Sequence, residues 1–165
     1  MERRDKTPAE SRVETFHIIR PVDMNDSGRL YGGALMGWID EVAGLVGRRH
    51  AQMNVTTAAI DKLEFLRGAY LMDMIVIAGK VTHVGNSSME IKVETFIEKP
   101  DGEREPINRA FLTMVGIDED NKPCRIPRLI LETDEDKKEW ARGEMRRKIR
   151  NQQKESGMCF FDEDE

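Results

Sequence analysis

The chain has little of several things. It holds two cysteines, three histidines, few aromatic residues and no apolar stretch long enough to span a bilayer. Each shortage excludes something. Cys124 and Cys159 both lie late in the chain and suit neither a disulfide framework nor zinc-ligand spacing. His17, His50 and His83 are scattered and give no metal signature. A membrane-spanning helix needs about 20 consecutive apolar residues, and none is present. The start, Met1-Glu2-Arg3-Arg4-Asp5-Lys6, lacks the apolar segment of a secretory signal. A cytoplasmic location, where thiols stay reduced, is the expectation. Basic residues are also outnumbered, 26 against 31 acidic, giving a net charge of −5. A general nucleic-acid binder would show a basic face instead.

What is present is sufficient for one domain with its own core at 165 residues. Residues 1–12 are polar and read as a flexible N-terminus. Residues 13–131 carry nearly all of the apolar pattern. Residues 132–165 are dominated by charge and read as a partly helical tail. Trp140, Met145 and Ile149 could give that helix an apolar side, lying on the core or on a neighbouring subunit; a solvated helix is the other reading. Phe160-Phe161, before the acidic end, reads as disordered.

Within the core, Thr15 to Arg20 is a short strand candidate stopped by Pro21. Gly33 to His50 reads as a helix. Val55 to Phe65 is rich in β-branched residues, and Met74 to Val84 is almost continuously apolar. Gly85-Asn86-Ser87-Ser88 is a turn signal. Beyond it Met89, Ile91, Val93 and Ile97 alternate with Glu90, Lys92, Glu94 and Glu98, a strand with one dry and one wet face. After the turn at Pro100-Asp101-Gly102, Asn108 to Asp118 reads as a further strand. One early helix followed by a run of strands predicts an α+β fold, a helix packed on an antiparallel sheet.

The helix carries two stripes. Leu35, Ile39, Val42 and Val46 fall at helical spacing and make the apolar one. Gly33, Gly37, Asp40, Gly44 and Gly47 make a second, almost without side chains, with one carboxylate at its centre. Each interior glycine costs roughly 1 kcal/mol of helix propensity relative to alanine. Tight packing on the sheet would account for them; so would close approach of a partner subunit or a slender ligand. Ahead of the helix runs Asn25-Asp26-Ser27-Gly28-Arg29-Leu30-Tyr31-Gly32-Gly33. A helix N-terminus offers free N–H groups and partial positive charge, suited to a developing oxyanion. With Asp40 as a general base, this is the outline of a hydrolytic site. Asp40 could equally be an ordinary solvated carboxylate.

Arg20-Pro21 through Gly33, with Met36, Asp40-Glu41-Val42-Ala43-Gly44 and Arg48-Arg49-His50, resembles the acyl-CoA hydrolases of the hot-dog fold. It is most similar to the cytosolic, brain-type enzymes and their bacterial single-domain relatives. Val55-Thr56-Thr57-Ala58 through Phe65 looks like the family's second strand. Val84 to Ile91 resembles its hairpin turn, and Ala110 to Val115 with Ile126-Pro127 its last strand and exit. Leu131 to Lys138 resembles the tail after a brain-type domain. Any one piece is weak; the ordered set, from about Arg20 to about Lys138, is specific.

The resemblance implies a long central helix wrapped by an antiparallel sheet, a homodimer and a trimer of such dimers. It implies hydrolysis of acyl-CoA to a free acid and CoA, with coenzyme A as part of the substrate and no cofactor or metal. Asn25 matches the family's loop asparagine and Asp40 its helix aspartate, facing one another across the dimer. Asp40 would be general base or nucleophile, Asn25 would orient water or carbonyl, and N–H groups at Gly32 and Gly33 would receive the oxyanion. Tyr31 departs from the histidine or phenylalanine usual before the glycine pair. For CoA, the candidates are Gly32, Gly85, Asn86, Ser87, Ser88 and Arg67, with Arg128 and the Arg48-Arg49-His50 cluster further choices; an ordinary turn and a helix-end charge cluster are the plainer readings. Met24, Met36, Trp38, Leu63 and Phe65 could line an acyl pocket, and Asp61 could stand behind the site or on a solvated strand face. The rival function is a non-catalytic acyl-CoA sensor, but about a dozen residues before the first strand are too few for a helix-turn-helix. A hot-dog hydratase would show a histidine near Asp40, and the helix has none there.

Overall fold

The computed structural model describes residues 3–156. Cys159 and the Phe160-Phe161 pair lie outside the described residues. The elements run α1 (Pro8–Ser11), β1 (Val13–Ile18), a 3-10 turn (Pro21–Asp23), α2 (Gly32–Ala51), β2 (Val55–Phe65), β3 (Met74–Val84), β4 (Ser88–Glu98), β5 (Arg104–Gly116) and α3 (Asp134–Glu155). The five strands form one antiparallel sheet in the order β1-β3-β4-β5-β2. It wraps α2 in the hot-dog arrangement. Among the described residues no helix is long and apolar enough to cross a membrane.

The apolar stripe of α2 faces the sheet. Leu35, Ile39, Val42 and Val46 are buried with Ile75, Ile77, Ile91, Val93, Leu112 and Met114. Gly79 in β3 sets the spacing: a Cβ there would stand 2.9 Å from Val42 Cγ1 and from Val46 Cγ2. The helix ends at Gln52, whose left-handed backbone (φ 56°) turns its N–H onto the Arg48 carbonyl. β5 starts at Arg104, earlier than the pattern predicts, because Pro106 is tolerated at a bulge next to Phe96 and beyond the end of β2.

Residues 4–12, where the sequence suggests a flexible arm, make defined contacts with the rest of the chain. Thr7 and Glu10 form a capping box at the start of α1. The segment docks on the C-terminal end of α2: Gln52 Nε2 donates to the Arg4 carbonyl at 2.7 Å, Lys6 Nζ to the Arg49 carbonyl, and Arg49 to the Arg12 carbonyl. At the centre is His50, fully buried. Its Nε2 lies 3.2 Å from the Pro127 carbonyl, which can only accept, so Nε2 carries the proton. Nδ1 then accepts from the Ser11 hydroxyl at 3.2 Å. One neutral imidazole thus ties together α1, α2 and the exit from β5.

The tail helix α3 packs on the sheet face opposite α2, but not through the expected apolar line. Trp140 goes in, its ring tilted 37° against His83 with centroids 4.3 Å apart. Met145 and Ile149 stay exposed. The contact is largely ionic. Glu90, buried on β4, takes both oxygens to Arg146 at 2.7 and 2.8 Å and accepts from Thr82 at 2.6 Å. Arg146 also lies over the Phe111 ring, 3.9 Å from its centroid. Arg150 pairs with Asp61, while His83, whose charging burial disfavours, shares a hydrogen bond with Glu144 at 2.7 Å. Gly143 admits this close approach, since a Cβ there would meet His83 Cβ at 2.7 Å. A buried carboxylate with a bidentate arginine is costly to break from one side only.

Burial holds His50 below its ordinary pKa, so the folded state prefers it neutral. With the folded pKa below the unfolded one, its stability contribution is complete above about pH 6.5 and is lost as pH falls through the lowered value. Urea unfolding should show a lower midpoint at pH 5.5 than at 7.5, and His50→Gln should shrink that difference. His83, also lowered by burial, leaves part of it. An undiminished difference in His50→Gln would contradict the assignment.

Candidate active site

Two features meet at the start of α2. The first is the Asn25 loop. Its carboxamide oxygen accepts from the Ser27 and Arg29 N–H groups at 3.0 and 3.1 Å, and its backbone N–H donates to the Arg29 carbonyl at 2.8 Å. The oxygen is therefore used within the loop, leaving the Nδ2 amide as a donor with no partner among the described residues. The second is the first turn of α2. Tyr31 precedes it without a side-chain cap, so the N–H groups of Gly32, Gly33 and Ala34 have no partner within the helix.

Asp40 lies seven residues beyond Gly33, roughly 10 Å along the axis at 1.5 Å per residue. Its side chain is exposed. One carboxylate oxygen accepts from Thr57 Oγ1 at 2.6 Å. That bond fixes the carboxylate's rotation and leaves its other oxygen with no partner among the described residues. Of the small-residue stripe, only Gly47 is explained by the sheet, with Val55 Cγ2 3.2 Å from a Cβ built there. A Cβ built on Gly37 or Gly44 would meet nothing within 4 Å beyond the helix's own backbone. Tight packing on the sheet does not account for those two.

A cleft of about 380 Å³ opens beside the helix start. Asn25, Arg29, Gly32, Leu35, Phe65, Arg67 and Ile107 are among its walls. Of the expected acyl-pocket residues, only Phe65 lines it. Trp38 stacks on His17 instead (centroids 4.4 Å apart), Met36 is exposed, and Met24 and Leu63 pack against the core. Arg67 reaches the cleft but is paired with Glu105. The turn at Gly85, Asn86, Ser87 and Ser88 is elsewhere. Ser87 accepts from the Gly116 N–H, Gly116 pairs with Val55, and Val55 packs on Gly47 near the C-terminal end of α2. Phe65, at the other end of the same strand, packs on Gly32. One chain therefore holds that turn and the Asn25 loop at opposite ends of the helix. Arg147 of α3 stands beside Gly85. His50 and Arg49 are structural, and Asp61 binds Thr113 and Arg150 on the far side of the sheet.

Thr57 is the residue the sequence did not single out. The strand was plain, but alternation does not say which of Thr56 and Thr57 meets the helix, and β2 is interrupted by two register shifts.

A sequence profile of the thioesterase superfamily matches residues 27–103. The chain is 38% identical over 128 residues to an uncharacterised acyl-CoA thioester hydrolase of Bacillus subtilis, covering 77% of this chain and 74% of the relative. The chain belongs to the thioesterase superfamily. Among solved structures, an apo-hexameric acyl-CoA thioesterase superposes with a TM-score of 0.85 at 33% identity, over 90% of this chain and 97% of that one. An acyl-CoA hydrolase of Staphylococcus aureus superposes with a TM-score of 0.88 at 27% identity, over 95% of each chain. That hydrolase has been solved with butyryl-CoA and with CoA. It has also been solved with alanine replacing an asparagine, an aspartate and a threonine. Those three positions are fifteen and seventeen residues apart, the spacing of Asn25, Asp40 and Thr57 here.

Removing the Thr57 hydroxyl while keeping its shape frees the Asp40 carboxylate to rotate. Thr57→Val should lower kcat for thioester hydrolysis about tenfold, in line with a hydrogen bond to a charged group, with the urea midpoint little changed. Turnover equal to wild type would show that the bond does not position Asp40.

Proposed function

We propose that this thioesterase hydrolyses acyl-CoA to a carboxylic acid and CoA at a site built from two copies of the chain. The observation that carries the reading is the outward-facing carboxylate of Asp40, held on one oxygen by Thr57 in a stripe without side chains. As general base, Asp40 takes a proton from water as the oxygen attacks the thioester carbonyl; the C–S bond breaks and the proton passes to the departing sulfur. As nucleophile, it would form an anhydride that water then opens. Asn25 Nδ2 orients the water or the carbonyl, and the N–H groups at Gly32 and Gly33 receive the oxyanion. A thioester carbonyl is already activated, so this scheme calls on no metal or cofactor.

Within one chain Asn25 and Asp40 share no hydrogen bond, and the loop would have to fold back along α2 to reach the carboxylate. A partner's loop crossing the open stripe at Gly37 reaches it directly. The exposed edge of β2 and the open glycines support a homodimer, and the hexameric thioesterase of the same fold supports a trimer of dimers. An antiparallel partner would also bring its 85–88 turn towards the Asn25 end, where it could hold CoA. The 33% identity to a cytosolic acyl coenzyme A thioester hydrolase of Rattus norvegicus supports a cytoplasmic enzyme.

Thiol release across a series of acyl-CoA chain lengths tests the reading. Asp40→Asn should keep the wild-type circular dichroism and lose on the order of 10² to 10⁴ in rate. A folded Asp40→Asn protein with wild-type turnover would overturn the assignment. Acyl-CoA binding without thiol release in the wild type would favour a sensor instead.

A further inference from the structure

Tyr31 is held more firmly than its exposure suggests. Its backbone N–H donates to the Asp23 carbonyl at 2.8 Å, and its own carbonyl accepts from the Leu35 N–H at 3.2 Å. Its side chain folds forward over the first turn of α2. A Cβ built on Gly33 would stand 2.4 Å from Tyr31 Cε1, 2.6 Å from Cζ and 2.8 Å from the hydroxyl oxygen. The phenol edge therefore occupies the space a side chain at position 33 would fill. That space is the head of the stripe that continues through Gly37 to Asp40.

The ring is half exposed, and its hydroxyl has no hydrogen-bond partner among the described residues. A core tyrosine finds a partner for its hydroxyl, and a ring needed only for packing gains nothing from carrying one. Here the hydroxyl oxygen lies over Gly33, 2.8 Å from where a Cβ would stand, on the turn whose Gly32, Gly33 and Ala34 N–H groups are free. From this we infer that the Tyr31 hydroxyl is a further donor to the reacting thioester carbonyl, joining the backbone N–H groups at the oxyanion position. The inference rests on the acyl-CoA hydrolase reading above. Tyr31 enters as a neutral donor and gives up no proton. Its contribution grows as the carbonyl oxygen acquires charge, because a hydrogen bond to an ionised group is the stronger kind.

Tyr31→Phe keeps the ring over Gly33 and removes only the hydroxyl. Measured by thiol release on the best acyl-CoA substrate, it should lower kcat roughly tenfold, the size of a lost hydrogen bond to a charged group, and leave KM within about twofold. Its urea midpoint should match wild type. A role in packing alone would move the midpoint or KM and leave kcat in place. Asp40→Asn, assayed beside it, separates the two readings. If Asp40→Asn is inactive and Tyr31→Phe turns over like wild type, the donor role is wrong and the hydrolase reading stands. If wild type releases no thiol from any acyl-CoA, both fall.

Discussion

The close seating of α2 in the curve of the sheet is the constraint on which the rest depends. Val42 and Val46 rest on the bare α-carbon of Gly79, and Val55 rests on Gly47. Any side chain at Gly79 would lift the helix. The consequence is rotational as much as translational: with Leu35, Ile39, Val42 and Val46 committed to the core, Asp40 has to face away from it. The same seating brings β2 near enough for Thr57 to hold one Asp40 oxygen at 2.6 Å. The site's chemistry is thus a by-product of which helix face is buried.

The outward face is unusual for a solvated helix. A lone helix in water gains nothing from glycine, and at two here, Gly37 and Gly44, an added Cβ would meet nothing within 4 Å beyond the helix's own backbone. Each sacrifices roughly 1 kcal/mol of helix propensity. A second backbone lying against the stripe would recover this through contacts that a side chain would block. The sheet's opposite face is covered by α3, whose interface is an ion-pair network about Glu90 rather than an apolar seam. The two faces therefore use different chemistry, with packing inside and fixed charges outside.

Much of this was legible in the sequence because it depends on local pattern. The ends of β2 and β3 and the length of α2 follow from β-branched runs, turn residues and a period of 3.6. Asn25, Asp40 and the glycine pair stood out as a polar loop and a lone carboxylate against an apolar helix. What failed depends on contacts distant in sequence. Residues 4–12 look solvated, yet Lys6 donates to the Arg49 carbonyl, the Arg4 and Arg12 carbonyls accept from Gln52 and Arg49, and Ser11 is buried against His50. In α3 the period of Trp140, Met145 and Ile149 suggests an apolar face, whereas the partners that matter are Glu90 and Asp61 on other strands. Thr57 could not be chosen over Thr56 without knowing the bulges of β2. The turn at Gly85 to Ser88 lies at the other end of the helix from the Asn25 loop of its own chain, a distance that no local pattern carries.

The central claim is that the catalytic pair is divided between two chains, and co-refolding of Asn25→Ala with Asp40→Ala tests it most directly. If Asn25 of one chain works with Asp40 of the other, each mixed dimer holds one intact site and one site with both lesions. Random mixing makes half of the dimers mixed, so thiol release should return to about a quarter of the wild-type specific activity when the sites act independently. Native mass spectrometry reports whether subunits exchanged. Mixed dimers no more active than either mutant alone would contradict the account, because a pair formed within one chain leaves every site with a lesion.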